Sequence, residues 1–307
     1  MTAPVLVLAG ASGFIGSRLV EAALSAGYRV RRLVRSADAA GVDGVEDFRW
    51  DPSAGTIDDA VLAGAYGVIC LNGAGLLSRP WTASYKKVLW DSRIDSVTTL
   101  VSAFAKADHK PKVFISGSAI GYYGADRAGE YLSEGSASGE GFLAELCRAW
   151  EEAAGPASGM GIRTVVVRTG LVMGQDGGML GLLQHPYRAG LGAQLGDGTG
   201  WMSTIARDDY VRALLFLLRE DDVEGPVNMT NPDPVPNKAW NKLLAEHVGR
   251  RAFLAVPRPV LTLVAGQMGR EAMLASQRVY PDVLLDHGFE FLAPTVEDIF
   301  SHELPMR

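Results

Sequence analysis

The 307 residues contain only two cysteines, Cys70 and Cys147. Cys70 lies in the apolar run Val68-Ile69-Cys70-Leu71 and Cys147 in a helical pattern, so both read as small buried hydrophobes rather than a disulfide pair or a nucleophile. There is no CxxC or HxxxH pair, and the five histidines are scattered, which leaves no metal site to expect. No apolar stretch reaches the length of a membrane span. No charged segment precedes the apolar run that starts at Val5, so no secretory leader is expected and the cytoplasm is the predicted compartment. Basic residues are not in excess: the net charge of −6 argues against a general nucleic-acid or anionic-membrane surface, while leaving room for a local basic pocket. Repeats and low-complexity tails are absent as well.

What is present is ordinary globular composition, 48% hydrophobic and 21% charged, enough to build a full core without staples. Val5 to Ala9 is a short β-branched and aliphatic run, followed by glycines and a helical pattern (Ile15, Leu19, Ala22, Ala23) that stops at Gly27. Further strands are predicted at Tyr28 to Val34, Val68 to Leu71, Lys112 to Ser116 and Arg163 to Arg168, with helices around Tyr85 to Lys106 and Gly141 to Ala154. Strands alternating with helices imply an α/β fold, a Rossmann-type doubly wound parallel sheet, with the ligand crevice at the carboxyl ends of the strands. After Arg168 the texture turns glycine-rich. The expected organisation is therefore a Rossmann domain over residues 1–170, with 205–230 returning to it, and a smaller α-rich substrate lobe over 171–307. A helix carrying Trp240, Leu243, Leu244 and Val248 on one face should stop at Gly249. From Arg251 on, two or three helices and one short strand near Phe289 to Phe291 are expected.

The turn Gly10-Ala11-Ser12-Gly13-Phe14-Ile15-Gly16 joins the first strand to an amphipathic helix, which is the context that gives a glycine pattern meaning. Glycine is needed where the chain bends, where backbone approaches a pyrophosphate, and where helix packs on strand; Gly10, Gly13 and Gly16 suit these duties. About twenty residues on, an acid would hold a ribose 2′-hydroxyl and an arginine a 2′-phosphate. There is no acid from Arg29 to Ala37, and Arg29, Arg31, Arg32 and Arg35 crowd the second strand. Arg35 is the residue expected to meet the phosphate, with Ser36 as a neutral donor and Arg32 as helper, so NADP(H) is the predicted cofactor. Strand alternation means that some of these arginines are merely solvated.

Together with Asn72-Gly73-Ala74-Gly75 after a buried strand and Ser116-Gly117-Ser118 before Tyr122-Tyr123-Gly124, this turn resembles the extended short-chain dehydrogenase/reductase superfamily. The whole chain, from about Val5 to Phe300, is similar to its atypical epimerase family protein branch. The residues that carry this likeness include Trp90-Asp91-Ser92-Arg93-Ile94, Phe142 to Cys147 with Trp150-Glu151, Arg168-Thr169-Gly170, Asn231-Pro232, Ser276-Gln277-Arg278-Val279 and Pro281 to Phe291, the last two groups belonging to its characteristic C-terminal extension at about 251–300. The resemblance implies that Leu71, Asn72, Gly73, Ala74 and Ser116 run along the cofactor and that Asp51 contacts the adenine; a turn acid ahead of Pro52 is the plainer reading of Asp51.

The superfamily's tyrosine acid/base depends on a lysine four residues later, because an unassisted phenol is a poor base at neutral pH. None of the nine tyrosines has one, and no lysine occurs between Lys112 and Lys238. The positions implied for the pair hold Phe142 and Leu146. Three readings stay open: Ser118 polarises the substrate with Tyr122 or Tyr123 as acid; a carboxylate, Glu134 or Glu145, does the proton work; or the chain binds NADP(H) without catalysis, as a sensor or scaffold. Arg127 stands four residues after Tyr123, in a polar run that reads as a loop. Arg93 either faces phosphates or pairs with Asp91 or Asp95 on the surface, and Trp201 either stacks on a ring or packs internally. Asp208 and Asp209 read as first-turn helix acids. The expected function is an NADP(H)-dependent oxidoreductase or epimerase-like enzyme acting on a small polar metabolite, with no nucleic-acid or membrane partner and with homodimerisation open.

Overall fold

In the computed structural model, residues 3–36 and 43–304 are described. Met1 and Thr2, part of the leader argument, and Ala37, the end of the acid-free stretch, lie outside them. In chain order the elements are β1 Val5–Ala9, α1 Phe14–Ser25, β2 Arg29–Val34, β3 Val45–Asp51, β4 Thr56–Ile57, β5 Ala65–Cys70, α2 Ala83–Lys106, β6 Val113–Ala119, β7 Asp126–Leu132, α3 Phe142–Ala154, β8 Arg163–Thr169, β9 Leu171–Gly174 and α4 Gly178–Arg188. There follow β10 Ala193–Leu195, β11 Trp201–Met202, β12 Thr204–Ala206, α5 Arg207–Arg219, β13 Gly225–Met229, β14 Val235–Pro236, α6 Asn237–His247, β15 Leu254–Val256, α7 Arg258–Met268, β16 Ser276–Val279, α8 Asp282–Asp286 and α9 Val296–Glu303.

An eight-stranded sheet runs in the order β13-β8-β6-β5-β1-β2-β3-β4. β1 pairs in parallel with both β2 and β5, so the chain moves outward from β1 through β2 and β3 and then returns to the other side of β1. That reversal is the switch point where ligand crevices form in such sheets. All five residues of β1 are buried, as expected of a parallel strand covered on both faces.

The chain divides into two compact units. The first comprises Met1–Ser118, Arg148–Val167 and Leu214–Pro226. In it, α1 buries Gly16, Leu19 and Ala23 at helical spacing and ends where Gly27, at φ +84°, lets Gly27 N and Tyr28 N bond back to Leu24 O and Ala23 O. Thr82 caps α2 by accepting from Tyr85 N at 3.2 Å, and α2 buries Leu89, Val97, Leu100 and Phe104. Phe104 meets Phe114 of β6 edge-on, ring centres 5.1 Å apart.

The second unit comprises Ala119–Cys147, Arg168–Ala213 and Val227–Arg307. Its main cluster centres on Trp240 of α6, packed edge-on to Phe300 of α9 at 5.3 Å and to Tyr187 at 6.2 Å. Gly249, at φ +68°, ends the α6 segment as expected. Two local expectations are corrected. The polar run after Gly124 is not a loop: Asp126–Leu132 is β7, paired in parallel with β16, more than 140 residues away. Phe289 to Phe291 form no strand; the two rings pack edge-on at 4.9 Å, and the strand of this region is β16.

Candidate functional site

The glycine turn lies directly after β1. Gly10 sits at φ +88°, and a Cβ there would lie 2.8 Å from the Asn72 backbone nitrogen. Gly13 N donates to Gly10 O at 3.0 Å, and a Cβ on Gly16 would strike that same carbonyl. The chain can close this turn only without side chains at these points. No side chain caps α1 and no acid stands in its first turn, so its positive end keeps the character of an anion seat. Ser12 and Gly13 are exposed, with Phe14 and Ile15 half-buried.

The other expected cofactor residues fall at the carboxyl ends of neighbouring strands. After β5, Leu71 N donates to Ala9 O at 3.0 Å, and the loop is tied to α2: Asn72 Nδ2 bonds Ser96 Oγ, and Ala74 N donates to Ser92 Oγ at 3.0 Å. Ser116 is buried opposite Cys70 in the β5/β6 register. Asp51 ends β3, and its Oδ1 accepts from Ser53 N at 3.0 Å, Ser53 Oγ at 2.6 Å and Ala54 N at 3.4 Å. The Ser53 hydroxyl is the first cause of a carboxyl pKa below the usual range, and the Arg35 charge adds to it. The turn-acid reading of Asp51 is thus realised on one oxygen.

The arginines of β2 separate by partner. Arg29 pairs with Glu46, Arg31 donates to the Val61 and Ala63 carbonyls at 2.8 and 2.7 Å, and Arg32 makes a two-pronged pair with Asp47 at 2.7 and 2.9 Å. Arg32 as a phosphate helper is therefore corrected: its fork is taken by a carboxylate. Arg35 and Ser36, just past the strand, are exposed, and among the described residues Arg35 makes no side-chain hydrogen bond or ion pair.

Arg93 is not a surface residue either. It is buried, donates to Leu89 O at 2.9 Å and Ala74 O at 3.1 Å, and lies 5.1 Å over the Trp150 ring, while Asp91 pairs with Lys87. Sequence reasoning missed this role: Arg93 braces the Gly73-Ala74 loop from behind, where a Cβ on Gly73 would come within 3.0 Å of the guanidinium carbon.

Among the expected catalytic groups, Ser118 belongs to the first unit. It is buried and donates to Glu151 Oε1 at 2.6 Å, so its hydroxyl proton is directed at a carboxylate. Glu151 is the acid that the fold brings to Ser118. Glu145 is exposed on α3, in keeping with a helix-surface acid.

Tyr122 and Tyr123 belong to the second unit. Tyr123 has no exposed surface; its hydroxyl donates to Asn228 Oδ1 at 2.7 Å, lies 2.9 Å from Ser133 O and accepts from Arg168 at 3.0 Å. Buried with its hydroxyl proton committed to Asn228, Tyr123 cannot reach a substrate, so the expectation that it acts as the acid is corrected to a buried strut; burial also pushes its pKa up to about 12. Tyr122 is half-buried under Arg168, whose guanidinium carbon lies 3.5 Å from the ring centre, and among the described residues its hydroxyl makes no hydrogen bond. Glu134 is not solvated: Oε1 accepts from Asn228 N at 2.9 Å, Oε2 is buried with no hydrogen-bond partner among the described residues, and burial raises the carboxyl pKa. Trp201 stacks on Arg278 at 4.5 Å. No cluster that could hold a metal ion occurs among the described residues.

A turn closed by glycines at the switch point of a doubly wound parallel sheet, with an uncapped helix end behind it, defines a dinucleotide-binding protein of the Rossmann class. The chain belongs to the NAD dependent epimerase/dehydratase family, which matches residues 6–230, and residues 256–303 match a domain of unknown function. An epimerase family protein of Mycobacterium bovis is 37% identical over 302 residues, covering 98% of each chain. A chloroplastic homologue of the epimerase family protein SDR39U1 from Arabidopsis thaliana is 32% identical, covering 94% of this chain and 83% of its own. The human epimerase family protein SDR39U1, solved with NADPH, superposes with a TM-score of 0.87 at 27% identity, over 97% of this chain and 98% of that one.

Proposed function

We propose that this chain binds NADP(H) in preference to NAD(H) and works as an oxidoreductase or epimerase-like enzyme on a carbonyl or alcohol carbon of a small polar metabolite. The observation that carries the cofactor preference is the sorting of the β2 arginines: three are consumed by Glu46, Asp47 and backbone carbonyls, and Arg35 is left exposed beside Ser36 where a ribose phosphate would lie. The NADPH in the human relative supports it. In this reading the amides of the Gly10 to Gly16 turn face the pyrophosphate, Asp51 meets the adenine through the oxygen not used in its turn, and Leu71 to Ala74 flank the rest, while Ser116, expected to join them, has no exposed surface. The bound nicotinamide supplies a hydride donor or acceptor. The chain supplies the proton: Tyr122 offers an uncommitted hydroxyl, and Arg168 holds a fixed positive charge against its ring.

Tyr122→Phe is expected to lower NADPH oxidation on a panel of aldehydes and ketones by about 100-fold, a typical loss for a general acid, while leaving the NADPH dissociation constant unchanged. A rate equal to that of the unaltered protein would remove Tyr122 from the mechanism. The missing lysine and the commitment of Ser118 to Glu151 favour a second reading, a binding-only sensor or scaffold. Tight NADPH binding with no turnover across the panel selects it.

A further inference from the structure

The segment from Arg250 to Arg270, with β15 and α7, exposes apolar side chains that a soluble helix ordinarily buries. In α7, Leu261 is buried, while Val260, Leu263 and Val264 form one stripe at helical spacing that points outward, with Leu263 87% and Val264 81% exposed. Earlier in the same segment Phe253 is 80% exposed and Leu254 is exposed in β15, which pairs with β10 two residues after the exposed Leu191. Residues 247–270 carry Arg250, Arg251, Arg258 and Arg270, all exposed, and no acid; of the acids that bound the stretch, Glu246 pairs with Lys242, and Glu271 accepts from Gln267 and from Leu143 N. The neighbouring stretch 177–196 also lacks acids and adds Arg188, whose carbonyl accepts from Arg250 Nε at 2.9 Å. Asp197, at the edge, is held by Thr199 and faces Arg258. A cationic, aliphatic surface thus stands out from a chain whose net charge is −6.

We infer that this face docks on an anionic lipid bilayer, with α7 in the headgroup plane, its aliphatic stripe inserted and the flanking arginines on the lipid phosphates. Large apolar side chains on one face of a helix, flanked by arginines and without acids, are the composition of interfacial anchoring segments. Charge complementarity decides against a second copy of the chain, because a two-fold contact would bring together two copies of the same arginine-bearing face. The net charge does not reveal this surface because it sums over the whole chain.

The test is co-sedimentation of the full chain with vesicles of phosphatidylcholine alone and of phosphatidylcholine mixed with phosphatidylglycerol, with analytical ultracentrifugation in parallel. The expected result is pelleting only with the anionic vesicles, weakened by raised salt, and reduced about tenfold or more in both Leu263→Asp/Val264→Asp and Arg251→Glu/Arg270→Glu. These positions are exposed, so circular dichroism should show both variants folded. Absence of pelleting, equal pelleting of the variants, or a dimer that the Leu263→Asp/Val264→Asp change dissolves while vesicles are ignored would each overturn the inference.

Discussion

Gly16→Ala is expected to abolish measurable dinucleotide binding and to lower the thermal midpoint by several degrees. A Cβ at this position strikes the Gly10 carbonyl and comes within 2.8 Å of Ala11 Cα, both backbone atoms of the turn itself, so no side chain can swing aside to make room. The start of α1 must then pull away from β1, and the amides that would face a pyrophosphate lose their common focus. A loss of at least ~100-fold in affinity, about 2.7 kcal/mol, should accompany a stability loss of roughly 2 kcal/mol from backbone strain. Gly27→Ala is the control. Gly27 also has positive φ, but a Cβ there meets nothing within 4 Å, so about 1 kcal/mol of strain with unaltered binding is expected. Titration and melting curves on both variants separate the two effects; Gly16→Ala protein that binds NADPH normally would refute the packing argument.

The second large effect falls on stability alone. Asp209 has no exposed surface, and its carboxylate accepts from Leu292 N, Ala293 N and Arg212, each at 2.8 Å. It pins the irregular segment that replaces the strand expected at Phe289 to Phe291. Asp209→Ala leaves the buried Ala293 amide and the partly buried Leu292 amide without their acceptor, whereas Arg212, partly exposed, keeps its bond to the Glu290 carbonyl. The cost should be about 3 kcal/mol in chemical denaturation. A loss below ~1 kcal/mol would mean that the segment finds other acceptors.

The legible part of this protein is what depends on neighbours in sequence. The run Val5 to Ala9, the glycines after it and the spacing of Leu19 and Ala23 each state a local conformation, and together they place the turn. The fate of the arginines was not legible, because whether Arg32 is free depends on Asp47, which reaches it only through the β2/β3 register. Ser118 and Glu151 are 33 residues apart and meet because β6 and α3 come together. Long-range pairing also explains β7, whose polar residues carry no strand signal but gain a ladder from β16. Asp209 looked like a helix-terminus acid and does open α5, yet its partners come from more than 80 residues onward. Glu134 looked solvated between Ser133 and Gly135, and only the tertiary fold shows it buried on Asn228.

We propose that Arg35 makes the dinucleotide turn an NADP(H) site. Calorimetric titration with NADPH, NADP⁺, NADH and NAD⁺, on the unaltered protein and on Arg35→Ala, tests it most directly. The phosphorylated pair should bind at least tenfold tighter, about 1.4 kcal/mol, and Arg35→Ala should remove most of that margin with little effect on NADH. Equal affinity for all four, or a preference that survives Arg35→Ala, would contradict it.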